Sequence, residues 1–93
     1  MYVTIRRYEN NAQLAGRLAA RRDEIQALIS DVAGFRAYYL LRSADGTTSV
    51  TVCDDQDGAD ESTRIAASWL RANMPDAVSR APEVTAGEVV VDF

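Results

Sequence analysis

Apolar and polar residues change rhythm repeatedly along this chain. Residues 2–8, YVTIRRY, alternate and are rich in β-formers, which predicts a first strand. ENN follows and reads as a helix-cap signal. Leu14, Leu18, Ile25, Leu28, Ile29 and Val32 then recur at helical spacing, and RLAARRDE puts charge on the opposite side. The spacing predicts one long amphipathic helix over 11–32, stopped by Gly34.

Residues 34–53 predict a hairpin, because Asp45-Gly46 separates two β-prone runs. With Asp45-Gly46 as the two-residue turn, Leu41 faces Val50 and Tyr39 faces Val52. Phe35 and Ala37 share that face, which the helices are expected to cover. Tyr38, Leu40, Thr51 and Cys53 fall on the other, so both faces of GFRAYYLLRS carry large apolar groups. DDQDGADES breaks the pattern. ADESTRIAASWLRANM then places Ile65, Ala66, Trp69, Leu70 and Asn73 along one stripe of a second helix, which Pro75 ends. PEVTAGEVVVDF reads as a last strand.

The order β-α-β-β-α-β is the ferredoxin-like, split βαβ arrangement. Residues 1–93 therefore form a single α+β domain, a four-stranded antiparallel sheet with two helices on one face. The other face is expected to hold Tyr2, Tyr8, Tyr38, Leu40 and Val90. Such a patch is seldom left in water. Its economical cover is a second copy of the sheet, giving a homodimeric α/β barrel. The rival is an exposed binding face for peptide or nucleic acid.

Composition narrows the chemistry. The formal net charge of -4 and pI near 4.6 argue against a nucleic-acid surface. No apolar run approaches the ~20 residues that cross a bilayer, and the first residues lack signal-peptide order. Neither a nucleic-acid nor a membrane partner is expected, and the cytoplasm is the expected setting. There is no histidine, which removes His-ligated haem, histidine metal sites and Ser-His or Cys-His pairs. The acidic cluster Asp54, Asp55, Asp57, Asp60 and Glu61 lacks the spacing of a calcium loop and suits a helix N-terminus. Cys53 has acidic neighbours and reads as a small half-buried side chain.

Gly34-Phe35 after the first helix, the strand-turn-strand, the acidic break, Trp69-Leu70 on the second helix and the closing GEVVVDF together resemble the dimeric α/β-barrel superfamily, in particular the antibiotic biosynthesis monooxygenase-like proteins. The resemblance spans nearly the whole chain. It implies a small homodimer, and among its oxygenases the use of no metal or flavin, so no cofactor. It implies a pocket between sheet and helices for a small aromatic, phenolic or enolic substrate, and Trp69 matches the tryptophan that lines it. Haem-degrading relatives carry a first-strand asparagine and a histidine after the second helix; this chain has Arg6 and Arg7, and PDAVSR.

The candidate substrate-binding residues are thus Trp69, Tyr39, Phe35 and Asn73; no catalytic residue or metal ligand emerges. Trp69 is either a stacking wall or a core anchor. Tyr39 is expected to point toward Trp69's helix, as a hydrogen-bond donor or as packing. Asn73 either orients a substrate oxygen or caps the helix end. Arg6, Arg36 and Arg42 are expected on the second sheet face with Glu88 and Asp92, as an anion site or as ion pairs across the dimer. Against an enzyme stands a non-catalytic ligand-binding or assembly dimer; a helix–sheet space filled by Trp69, Phe35 and Tyr39 would favour it.

Overall fold

The computed structural model describes every residue except Ser79, and only the backbone of Val78. Eight elements follow one another: β1 (Tyr2–Glu9), α1 (Gln13–Ala19), α2 (Arg22–Ser30), β2 (Phe35–Ser43), β3 (Gly46–Cys53), α3 (Gln56–Asn73), a 3-10 turn (Pro75–Val78) and β4 (Glu83–Glu88). The sheet is antiparallel in the order β2-β3-β1-β4, the ferredoxin-like order.

The expected long first helix is two helices. The break falls at Ala20-Arg21, where the apolar stripe skips from Leu18 to Ile25 and arginines fill the missing turn. ENN does not cap it: Ala12 is the N-cap and makes no side-chain bond. Asn10 instead takes a left-handed φ of 58°, and the Asn11 amide donates to the Ala77 carbonyl. Gly34 does turn the chain in the left-handed region, at φ 82°, a few residues beyond the end of α2. Asp55 caps α3, its carboxylate accepting from the Gly58 N–H at 3.0 Å, so the acidic break works as a helix start.

The hairpin turn is Ala44-Asp45, one residue earlier than expected. Ser43 pairs with Gly46, Leu41 with Thr48 and Tyr39 with Val50. Gly46 is required there by crowding, since a Cβ would stand 2.5 Å from the Tyr8 carbonyl oxygen. A β-bulge between Phe35 and Ala37 shifts the alternation of β2, so Phe35 joins Tyr38 and Leu40 on one side.

That bulge and the register correct the face assignment. Thr4, Arg6 and Tyr8 pair with Thr51, Ser49 and Thr47, and these lie buried beneath the helices with Tyr38 and Leu40. Across the open face run Ala37-Val52-Val3, Tyr39-Val50-Ile5 and Leu41-Thr48-Arg7. The apolar row expected under the helices is the uncovered one. Tyr39 is 59% exposed and Leu41 47% exposed, while Val3, Ile5, Val50 and Val52 are half-buried. The core is supplied mainly by the helices, through Leu14, Leu18, Ile25, Ile29, Leu70 and Met74 against Tyr8. β4 ends at Glu88, earlier than expected, and Val90, Val91 and Phe93 project into solvent.

Candidate functional site

The space between the helices and the sheet forms a cleft. Its inner end is a cavity of about 30 Å³, with Arg6, Tyr8, Tyr38 and Ser49 on the sheet side and Ile25, Ile29, Leu70 and Trp69 on the helix side. That is room for about one water. The cleft abuts a groove of about 570 Å³ between α2 and β2, which shares Leu18, Ile25 and Tyr38 with it and reaches Phe35 and Leu40. The groove lies within the size range of small-molecule sites. Neither open space nor filled core describes it fully: a small inner space adjoins a wide outer trough.

Trp69 reaches the cleft because α3 presents Ala66, Trp69 and Leu70 on one stripe, with Ser62 and Leu70 buried. Its indole N–H donates to Glu24 Oε2 at 2.8 Å, and the Arg21 guanidinium stacks 4.9 Å from the ring centre. Arg21 also donates to Glu24 and to Asn73 Oδ1. The Arg21 and Trp69 hydrogen bonds hold the exposed Glu24 carboxyl below its ordinary value. Sequence reasoning missed Glu24 and Arg21 at this position; the interruption of the apolar stripe by RRDE shows them as surface charge but not as partners of Trp69.

Phe35 lines the outer groove and packs on the core. Tyr39 stands on the open face, away from Trp69, and touches the groove only at the β2 edge. Asn73 is exposed, and its amide donates to the Trp69 carbonyl at 2.9 Å, a helix-end bond. Trp69 and Phe35 therefore border the joined cleft and groove, while Tyr39 and Asn73 lie outside the cleft.

Arg6 is the residue that the structure moves furthest from expectation. It is 2% exposed beneath the helices, not on the open face. Its Nε donates to Ser49 at 3.2 Å, Nη1 to Thr63 of α3 at 2.9 Å and Nη2 to Thr51 at 2.6 Å. Desolvation by burial pulls its pKa below the usual arginine value. Burial pushes Tyr8 and Tyr38 up, against the pull of the Arg6 charge, so both are neutral hydroxyls near neutral pH. Arg36 pairs with Asp54, and Arg42 lies beside Gly16 of α1, so neither joins Arg6. On the open face the basic residue is Arg7, 3.9 Å from Glu83. Cys53 is fully buried, and burial with Asp55 nearby raises its thiol. Among the described residues no three acidic or thiol side chains converge to hold a metal.

The chain's backbone resembles several solved structures. It matches the monooxygenase from the gene ActVA-Orf6 of Streptomyces coelicolor, solved with the ligand nanaomycin D, at a TM-score of 0.73 and 13% identity over 99% of this chain and 89% of that one. This chain has the fold of the antibiotic biosynthesis monooxygenase-like proteins. SnoaB, a cofactor-independent oxygenase from Streptomyces nogalater, matches at 0.59 and 15% identity, covering 99% of this chain and 93% of that one. The haem degrader MhuD from Mycobacterium tuberculosis, with two hemes bound in its active site, matches at 0.68 and 19% identity, covering 100% and 99%. No protein-family model and no curated protein matches the sequence. The shared fold is the ferredoxin-like α+β sandwich that the sequence pattern predicts. No helix among the described residues is long and apolar enough to cross a membrane.

Proposed function

We propose that this chain is a cytoplasmic homodimer whose cleft binds a small phenolic or enolic aromatic and oxidises it with dioxygen, without metal or flavin. The observation that carries the reading is the cleft and the neighbouring groove of about 570 Å³, which share Leu18, Ile25 and Tyr38, with Arg6, Tyr8 and Trp69 lining the inner, mostly apolar space. A flat ring fits the groove, against Phe35 and Leu40, with its oxygen substituent turned toward Tyr38 and the inner space. The fold shared with a cofactor-independent oxygenase supports the reading.

In this chemistry the substrate supplies the electrons. A phenol becomes a quinone when one oxygen atom of dioxygen enters the ring and the other leaves as water with the two displaced hydrogens. The protein's contribution is orientation and stabilisation of the developing anion. Pairing through Val3, Ile5, Tyr39, Leu41, Val50 and Val52 would remove the apolar face from water and fix β2, which walls the groove.

One observation favours the second reading, a ligand-binding dimer without chemistry. Tyr8 and Tyr38 are raised and Glu24 is lowered, so the shifts at the cleft move these groups away from the neutral pKa of a general base. An oxygen electrode separates the two. Phenols and naphthols that quench Trp69, the single tryptophan, should consume dioxygen in chelator-treated buffer with matching quinone formation. Quenching without oxygen uptake by any binder would leave the binding module and end the oxygenase reading.

A further inference from the structure

We infer that Arg6 is an anion receptor, which takes the single ionised oxygen of a phenolate or enolate at the inner end of the cleft and so sets the charge class of the ligand. The inference rests on the cleft being the ligand site, as proposed above.

The reason is an unmatched charge. Among the described residues every hydrogen bond Arg6 makes goes to a neutral hydroxyl, from Ser49, Thr63 and Thr51. None of the ion pairs among the described residues includes it. A guanidinium has more donors than these bonds use, and one N–H on each terminal nitrogen remains free. Leu18, Ile25 and Ile29 close the helix side of the same cavity. The remaining titratable groups around Arg6 are Tyr8, Tyr38 and Cys53, all neutral near neutral pH because burial raises each of them. The carboxylate bonded to Trp69, Glu24, is exposed, is paired with Arg21 and lines neither space.

A buried charge without a counter-charge is costly, and an arginine stays protonated where a lysine would shed its proton. The fold could have placed another hydroxyl or an apolar residue there more cheaply. An incoming oxyanion supplies the missing charge. The cavity size then selects its form. About 30 Å³ beside Arg6 receives one oxygen, whereas a carboxylate brings two oxygens and a carbon. The Tyr8 and Tyr38 hydroxyls line the same end, and the ring stays in the groove.

The test uses the full chain with 4-nitrophenol, whose anion is coloured, and with 4-nitroanisole, which keeps the nitroaryl ring but carries a methyl on its oxygen and cannot ionise. Trp69 quenching reports binding; visible absorbance reports ionisation. Bound 4-nitrophenol should ionise at least one pH unit lower than the free compound, a tenfold change in its ionisation constant. Near neutral pH it should bind at least tenfold more tightly than 4-nitroanisole and than 4-nitrobenzoate. Arg6→Met removes an uncompensated buried charge while Ser49, Thr63 and Thr51 lose its N–H donors, and it should abolish both the shift and the preference. Arg6→Lys should keep part of each. Binding of 4-nitrophenol and 4-nitroanisole with equal affinity and no shift would overturn the anion receptor while leaving the cleft as a site. No quenching by any of the three would overturn the site and the inference together. Tighter binding of 4-nitrobenzoate would overturn the single-oxygen assignment. If Arg6→Met does not fold, the wild-type comparison and Arg6→Lys decide the question alone.

Discussion

The two faces of the sheet are built the wrong way round for an ordinary two-layer domain. Beneath the helices lie Thr4, Arg6, Thr47, Ser49 and Thr51, all buried. Toward solvent lie Val3, Ile5, Ala37, Tyr39, Leu41, Val50 and Val52. A sheet normally puts its apolar rows under its helices and its hydroxyls in water. The inversion teaches that each face answers to something besides the folding of one copy. The polar face lines a cleft and hydrogen-bonds a guanidinium. The apolar face is unfinished until something covers it.

The comparison can be broken most forcefully on the open face. Val50→Glu places a charge in the middle of the row Tyr39-Val50-Ile5. If two copies pair there, burying that charge costs about 3–5 kcal/mol. Light scattering should then show the mass fall from twice 10.2 kDa to 10.2 kDa. An unchanged dimer would mean that a different surface pairs. Next in size is Gly46→Ala, where the new Cβ meets the Tyr8 carbonyl oxygen at 2.5 Å. Separating β1 from the turn should cost about 1–3 kcal/mol in denaturant unfolding, and both faces would suffer, since β1 carries both rows. A normal midpoint would show that the strand end shifts freely.

Smaller effects probe the polar face alone. Thr51→Val removes the acceptor 2.6 Å from Arg6 Nη2 and leaves a buried N–H unpaired, a loss of about 1–3 kcal/mol. A stabilised variant would indicate that the Thr51 bond is replaced by water or by Ser49. The smallest effect is at the exposed Glu24 beside Trp69. Glu24 is held below its ordinary value by Arg21 and Trp69, so its contribution is present above the unfolded carboxyl pKa and is lost as pH falls through the lowered folded value. Trp69 emission should therefore change at acid pH, below the ordinary glutamate range, and Glu24→Gln should remove that step. A step that survives in Glu24→Gln belongs to another group.

The inversion also explains what was legible in the sequence. Element order came through because β-prone alternation, helical spacing and the acidic helix start are local signals, and each element formed near its predicted place. The assignment of faces did not come through. It rests on the rule that apolar rows go under helices, and this sheet breaks the rule. The bulge at Phe35–Ala37 and the turn at Ala44-Asp45 then displaced β2 against β3 without any composition signal. Trp69 was legible because its stripe is strongly periodic. Arg6 was placed on the wrong face with the rest of its row. The clue was in β1 itself, where Thr4, Arg6 and Tyr8 alternate with Val3, Ile5 and Arg7, and Tyr8 is a poor residue to leave in water. Glu24 and Arg21 meet Trp69 through tertiary contact, which no spacing within α1 or α2 encodes.

The bulge in β2 has a consequence for how this chain tolerates insertions and deletions. It is a change of phase: before it one parity points inward, and after it the other does. Removing Arg36 would restore an unbroken alternation, keep Phe35 opposite the buried Cys53 on the groove side and leave the rest of the hairpin in frame. A chain that lost this one residue would thus keep both its architecture and the aromatic wall of its trough, and would give up only the Arg36–Asp54 ion pair, so the strand tolerates a change of length at this point without a change of ligand surface.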